Sequence, residues 1–175
     1  HAGLLAEMVR NFICLGYEEY PGFENGDIFE NNDPHYGGIH TPDFDMAMPI
    51  RHEGRLVAWA TAVTHVADVG MATPGSIGFL NPDVFADGLT VSMEKVGERD
   101  RYYPWYELRI RSRTRTPDWV MGDARGRLAG CITVREKLTE VIDKYGLDFY
   151  RQAAQEYVED SRRYATARIR TQTVP

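Results

Sequence analysis

Between Asn31 and Asp45 the chain reads NNDPHYGGIHTPDFD, a run of Asn, Asp, Gly, Pro and His with almost no apolar periodicity. Neither a helix nor a half-buried strand is built from such a pattern, because each needs apolar side chains that return at its own period. The run must be a long loop, ordered or not. Its neighbours favour order. Met46 to Arg51 and Leu56 to His65 are apolar and flank His52-Glu53-Gly54-Arg55, which has the chemistry of a tight hairpin turn. The loop is therefore the entrance to a sheet. Along the second strand, Val57, Trp59, Thr61, Val63 and His65 share one face, and Leu56, Ala58, Ala60, Ala62 and Thr64 share the other. His65 ends the bulkier row.

On the N-terminal side, Leu4, Leu5, Met8, Val9, Phe12, Ile13 and Leu15 recur at helical spacing before Gly16, which places a helix over residues 3 to 15. A loop with Pro21 and Gly22 leads to the Asn25-Gly26 turn signal, and Asp27 to Glu30 can form a short strand. Beyond His65 the chain is rich in Gly and Pro, with Leu89 to Met93 as a possible further strand. Arg109, Arg111, Arg113 and Arg115 would line one side of an extended segment, though not of a helix. Residues 118 to 144 and 147 to 170 carry apolar positions at helix spacing, broken at Tyr145-Gly146, and read as two antiparallel helices. The expectation is an α+β fold: an N-terminal helix, a small mostly antiparallel sheet with long Gly/Pro-rich loops, and a C-terminal helix pair.

A length of 175 residues with 43% hydrophobic content is enough for one core, so a single domain over residues 1 to 175 is expected. The first residue is His1 and helical pattern begins at once, which suggests a piece of a larger polypeptide. A net charge of -6 argues against nucleic acid and anionic membranes as partners. No apolar run is long enough to span a bilayer and no signal-peptide order is visible, so a cytoplasmic chain is expected. Up to Lys95 there are 14 acidic and 4 basic residues, and from Val96 onward 12 and 16, an asymmetry suited to mutually attracting layers or to an anionic partner of the back half. Cys14 and Cys131 lack a CxxC neighbour and read as small buried hydrophobes.

Chemistry concentrates in the entrance loop. His40 and Asp43 stand three apart across Pro42, which holds Thr41 extended and bends the segment so that both side chains can converge. With His65 they make a two-His, one-carboxylate set that leaves coordination positions open, as suits Fe(II), Mn(II) or catalytic Zn(II). The same residues can also serve as a turn cap, an Asx-turn and a core histidine. The Gly37-Gly38 pair, which permits close backbone approach, favours the metal site. Asp33 and Asp68 are candidates to orient an imidazole from behind or to act as a general base, and Asp33 serves equally well as the first residue of an Asp-Pro turn. No phosphate-cradling GxxxxGK[ST] or dinucleotide fingerprint is present, and no GxSxG. The arginine row could collect a phosphate or carboxylate, but such rows are more often exposed or interdomain faces.

The order GDIFENNDPHYGGIHTPDF, THVADVG, PGS, DGL and MGDARGRLAG resembles the hydantoinase B family over roughly residues 1 to 146, and His1-Ala2-Gly3 looks like an HxG that lies well inside that family's polypeptides. Within the family, GFENGDIFENND is most similar to the large metal-binding catalytic subunit of ketone carboxylases of the acetone and acetophenone kind. The resemblance implies ATP-dependent joining of a ketone and bicarbonate, with ATP handled by a hydantoinase A-type ATPase subunit and room for a small third subunit. It also implies that His40, Asp43 and His65 ligate a divalent metal, Mn(II) first and Zn(II) or Fe(II) as alternatives. Two departures touch substrate choice: Met71 replaces the second Gly after Asp-Val-Gly, and Thr64-His65 replaces paired histidines. Hydantoinases and 5-oxoprolinases share the scaffold, so cyclic-amide hydrolysis is the alternative activity, and an interaction domain inactive alone is the alternative class.

Overall fold

The computed structural model describes residues 2–172 and divides into two compact units, one up to Arg135 and one from Glu136 onward. The first unit begins with α1 (Ala2–Cys14), whose stripe of Leu5, Met8, Val9 and Phe12 is the periodicity visible in the sequence. Five strands follow: β1 (Ile28–Asn31), β2 (Asp43–His52), β3 (Arg55–His65), β4 (Glu94–Glu98) and β5 (Arg101–Tyr102). They form one antiparallel sheet in the order β3-β2-β1-β4-β5. Two helices pack behind it: α2 (Pro104–Arg113), and α3 (Pro117–Tyr145), whose residues up to Arg135 belong to this unit. The architecture is α+β with an N-terminal helix and C-terminal helices, as expected.

Each face of the sheet has its own cover. Phe29 and Ala47 meet Met8 and Phe12 of α1, Phe23 and Met93 on one side, with Trp59 closing the cluster. Aromatic edges meet faces there, with Phe12 and Phe29 centroids 5.0 Å apart and Phe23 and Trp59 4.7 Å apart. On the other side lie Ile28, Phe44, Met46 and Met48, and Arg127 of α3 spreads over the Phe44 ring. Strand alternation alone sorts these residues onto two faces.

The β2–β3 turn is as the sequence suggested: Glu53 and Gly54 both take positive φ, of 49° and 75°, as the turn that follows strand twist requires. A register shift between Ile50 and Arg51 then brings Leu56 to the Trp59 side, not the opposite face expected from strict alternation. One further expectation is corrected. Leu89 to Met93 is not a strand, because the side chains of Asn31 and Asn32 take the backbone groups of Leu89, Val91 and Met93, and pairing starts at Glu94. Of the two backbone forms open to the arginine row, the helical one is present through Arg113: Pro104 opens α2, and Arg109, Arg111 and Arg115 turn separately to Glu94, Asp118 and Asp68. Cys131 is buried as expected, whereas Cys14 is exposed.

In the second unit, α3 runs to Tyr145, and α4 (Leu147–Gln172) follows Gly146. The two helices exist where the break predicted them, but α4 buries no residue. Its Phe149, Tyr157, Val158, Tyr164 and Ile169 stand exposed instead of forming the apolar seam of an antiparallel pair. No helix among the described residues is long and apolar enough to cross a membrane.

Candidate metal centre

The entrance loop is ordered by asparagines. Asn31 and Asn32 are fully buried at the end of β1, where an amide without partners would carry a large desolvation cost. Asn32 donates to the carbonyls of Thr41, at 2.6 Å, and Leu89, at 2.9 Å, and accepts from the Val91 N–H at 2.6 Å. A single side chain thus ties the loop to the strap at 89–91. Asp33 caps the 3-10 turn Pro34–Tyr36 by accepting from the His35 N–H. Gly37 closes that turn at φ 96°, and a Cβ on Gly38 would stand 2.8 Å from the Asp33 carbonyl oxygen. The double glycine is what lets the loop fold back on itself.

That path delivers His40, Asp43 and His65 to one point. Asp43 opens β2 and His65 closes β3, directly opposite each other in the ladder, while the Asp43 N–H bonds the His40 carbonyl at 2.8 Å across Pro42. The Asp43 carboxylate lies between the two rings, with Oδ1 2.9 Å from His65 Nδ1 and Oδ2 3.2 Å from His40 Nδ1. One ligand atom from each residue falls within 4.8 Å of the others. Asp43 is buried, and both histidines are exposed. Two imidazole nitrogens and a carboxylate oxygen this close are a donor set that fits one divalent cation with its outer side open to solvent.

Asp33 and Asp68 do not reach this cluster. The Asp33 carboxylate accepts from the His35 N–H and from Ser92 Oγ. Asp68 is buried beneath Arg115, accepting from its N–H at 2.7 Å, its Nη1 at 2.8 Å, and from the Gly70 N–H at 3.0 Å. Burial raises its pKa, but the bonds from Arg115 and Gly70 outweigh this and hold it below the usual carboxylate range.

Two residues not singled out in the sequence stand close behind the cluster. Asp45 shares the face of Asp43, and burial, with the Asp43 charge adding, pushes its carboxyl up to about 7 although Arg127 opposes. The alternation Asp43-Phe44-Asp45 carried that signal. On the far side of the sheet, Arg127 is fully buried, donating to Glu30 at 2.8 Å and to Thr64, the neighbour of His65, at 2.5 Å. Tyr102 and Tyr106 also donate to Glu30, and Arg127 Nε is left without a partner. Nothing local distinguishes Arg127 from the surface arginines of the same helix.

Fold and donor cluster together describe a carboxylate-and-imidazole centre at the mouth of an antiparallel hairpin. The profile of the hydantoinase B/oxoprolinase family matches residues 1–174, and the chain belongs to that family. It is 35% identical to the acetone carboxylase alpha subunit of Xanthobacter autotrophicus over 100% of this chain and 23% of that protein. It is 32% identical to the B component of a putative D-/L-hydantoinase from a Pseudomonas species, over 79% of this chain and 24% of that one. A nucleotide-free structure of acetone carboxylase superposes with a TM-score of 0.94 at 35% identity, covering 100% of this chain and 23% of its own. The chain therefore spans under a quarter of the length of these relatives.

Proposed function

We propose that this chain is the metal-holding catalytic segment of an ATP-dependent ketone carboxylase. Its reaction joins a ketone and bicarbonate to a 3-oxo acid in the cytoplasm, with ATP handled by a hydantoinase A-type ATPase subunit and with a small third subunit in the same complex. The observation that carries the reading is the convergence of His40, Asp43 and His65 within 4.8 Å, on a chain alike over its whole length to an acetone carboxylase alpha subunit.

His40 and His65 would hold a divalent cation, Mn(II) first and Zn(II) or Fe(II) as alternatives, from the solvent side, and Asp43 would hold it from the buried side. When bound, the cation supplies Lewis acidity toward an oxygen on which negative charge develops. The chain itself fixes the donors. Strand pairing sets Asp43 against His65, and Pro42 with the Asn32 bond to Thr41 sets His40. Asp45 lies on the same buried face, where burial and the Asp43 charge raise its carboxyl in the metal-free chain.

Hydrolysis of a cyclic amide is the second reading, favoured by the 32% identity to a hydantoinase component. Elemental analysis of the purified chain, with His40→Ala and His65→Ala in parallel, tests the centre. About one bound divalent ion in wild type and its loss in both variants is expected, and a wild type that takes up no metal after reconstitution would overturn the reading. In the assembled complex, ATP consumption driven by ketone plus bicarbonate or by a cyclic amide separates the two activities.

A further inference from the structure

Of the arginines in the row 109 to 115, three are engaged and one is not. Arg109 pairs with Glu94 at 2.7 Å, Arg111 with Asp118 at 2.8 Å and Arg115 with Asp68 at 2.8 Å. Arg113 makes no ion pair or side-chain hydrogen bond with any described residue. It ends α2, yet it is not needed as a cap, because Thr114 takes the Ile110 carbonyl with both its N–H and its hydroxyl. Arg113 is among the residues that line a cleft of about 570 Å³ between α2 and the segment 85–90.

The cleft is built firmly. Gly70 lies so close to the end of α2 that a Cβ there would fall 1.9 Å from the Arg113 carbonyl oxygen, and its φ of 72° excludes most side chains as well. The Leu89 N–H bonds the Val69 carbonyl at 2.7 Å, and the Asp68 contacts with Arg115 and Gly70 pin the base of the same wall. Phe85 and Leu89 add an apolar side. Charge in the cleft is a sum of neighbours: Glu94 is neutralised by Arg109, which leaves the Arg113 guanidinium uncompensated. A cationic cleft is notable here, since the stretch from Leu56 to Glu94 contains no Lys or Arg. A second cavity shares Phe85, Gly88 and Thr90 with this one and reaches Thr41, the neighbour of His40.

From this geometry we infer that the cleft is a binding site for a small organic oxyanion, a phosphate or carboxylate gripped by Arg113 with its short apolar body against Phe85 and Leu89. A guanidinium fork suits such oxygens, and Arg113 has no internal acceptor to compete with them. The inference stands independently of the metal centre. The test titrates inorganic phosphate, and separately acetate, into the 175-residue chain at fixed ionic strength with chelator present. Binding is read by calorimetry and by the arginine Nε–H resonances. Saturable binding that moves the Arg113 resonance is expected. It should weaken about tenfold or more in Arg113→Ala, recover in part in Arg113→Lys, and be unchanged in Arg111→Ala and His40→Ala. Saturation by phosphate alone identifies a phosphoryl ligand, and saturation by acetate identifies a carboxylate. If neither anion saturates the chain, or folded Arg113→Ala binds as wild type does, the site is refuted.

Discussion

Asp43 is the residue on which the centre turns, because its two oxygens face two different imidazoles from the buried end of a hairpin. Removing one of those oxygens should cost more metal affinity than removing a supporting contact, for which about 10- to 100-fold is typical. Asp43→Asn is therefore expected to lose metal by at least that factor in a competition titration while keeping its far-ultraviolet circular dichroism. Asp68 makes a different prediction. Its pKa is lowered in the folded chain, so its stabilising contribution is present above the unfolded pKa of about 4 and is lost as pH falls through the lower folded value. Asp68→Asn should thus reduce stability near neutral pH by about 1–2 kcal/mol, discounted for the half-exposed Arg115. The difference from wild type in urea melts should shrink as pH drops below about 4. A difference independent of pH would contradict the pairing.

At the scale of elements, the sheet is held by two unlike covers. The cluster under α1 is apolar, and Phe12 is fully buried among Tyr17, Phe29 and Trp59. Phe12→Ala should cost about 3–5 kcal/mol in chemical denaturation. The α3 side instead buries an ion pair, Glu30 with Arg127, both without solvent exposure. Breaking it from one side leaves a charge stranded, so Arg127→Met is expected to destabilise by about 3–5 kcal/mol. The double variant with Glu30→Gln should recover much of that loss, because removing both charges also removes their desolvation. A double variant whose loss equals the sum of the two single losses would show that the pair is not coupled.

Over the whole molecule, burial divides the chain unevenly. The unit up to Arg135 contains the sheet, both covers and the His40, Asp43 and His65 cluster, whereas α4 buries none of its side chains. A chain ending at Tyr145 is therefore expected to melt within about 2–4 °C of the longer one, since a shift of that size reflects about 1 kcal/mol in a chain of this length. It should also retain the metal-binding capacity of the longer chain. A collapse of either property on truncation would mean that α4 carries stability its exposure does not reveal.

Much of this was legible in the sequence because it is local. Helical spacing located α1, α3 and α4, the His52–Arg55 turn located the hairpin, and the HxxD spacing with a histidine ending a strand marked the three side chains that converge. The strand expected at Leu89 to Met93 failed for a non-local reason: asparagines far earlier in the chain, Asn31 and Asn32, take its backbone groups. Whether 109–115 is extended or helical is open in the sequence; α2 starts at Pro104, and each arginine finds its own carboxylate, or none. Asp33 and Asp68 were plausible supports by proximity in sequence, yet their oxygens go to Ser92 and Arg115. By itself the sequence determined α1, α3, α4, the β2–β3 hairpin and which three side chains converge, since periodicity, turn chemistry and residue type act over a few residues. Only the tertiary structure decided the partners of each buried charge and which arginine was left free, because those follow from contacts between segments that the chain brings together only on folding.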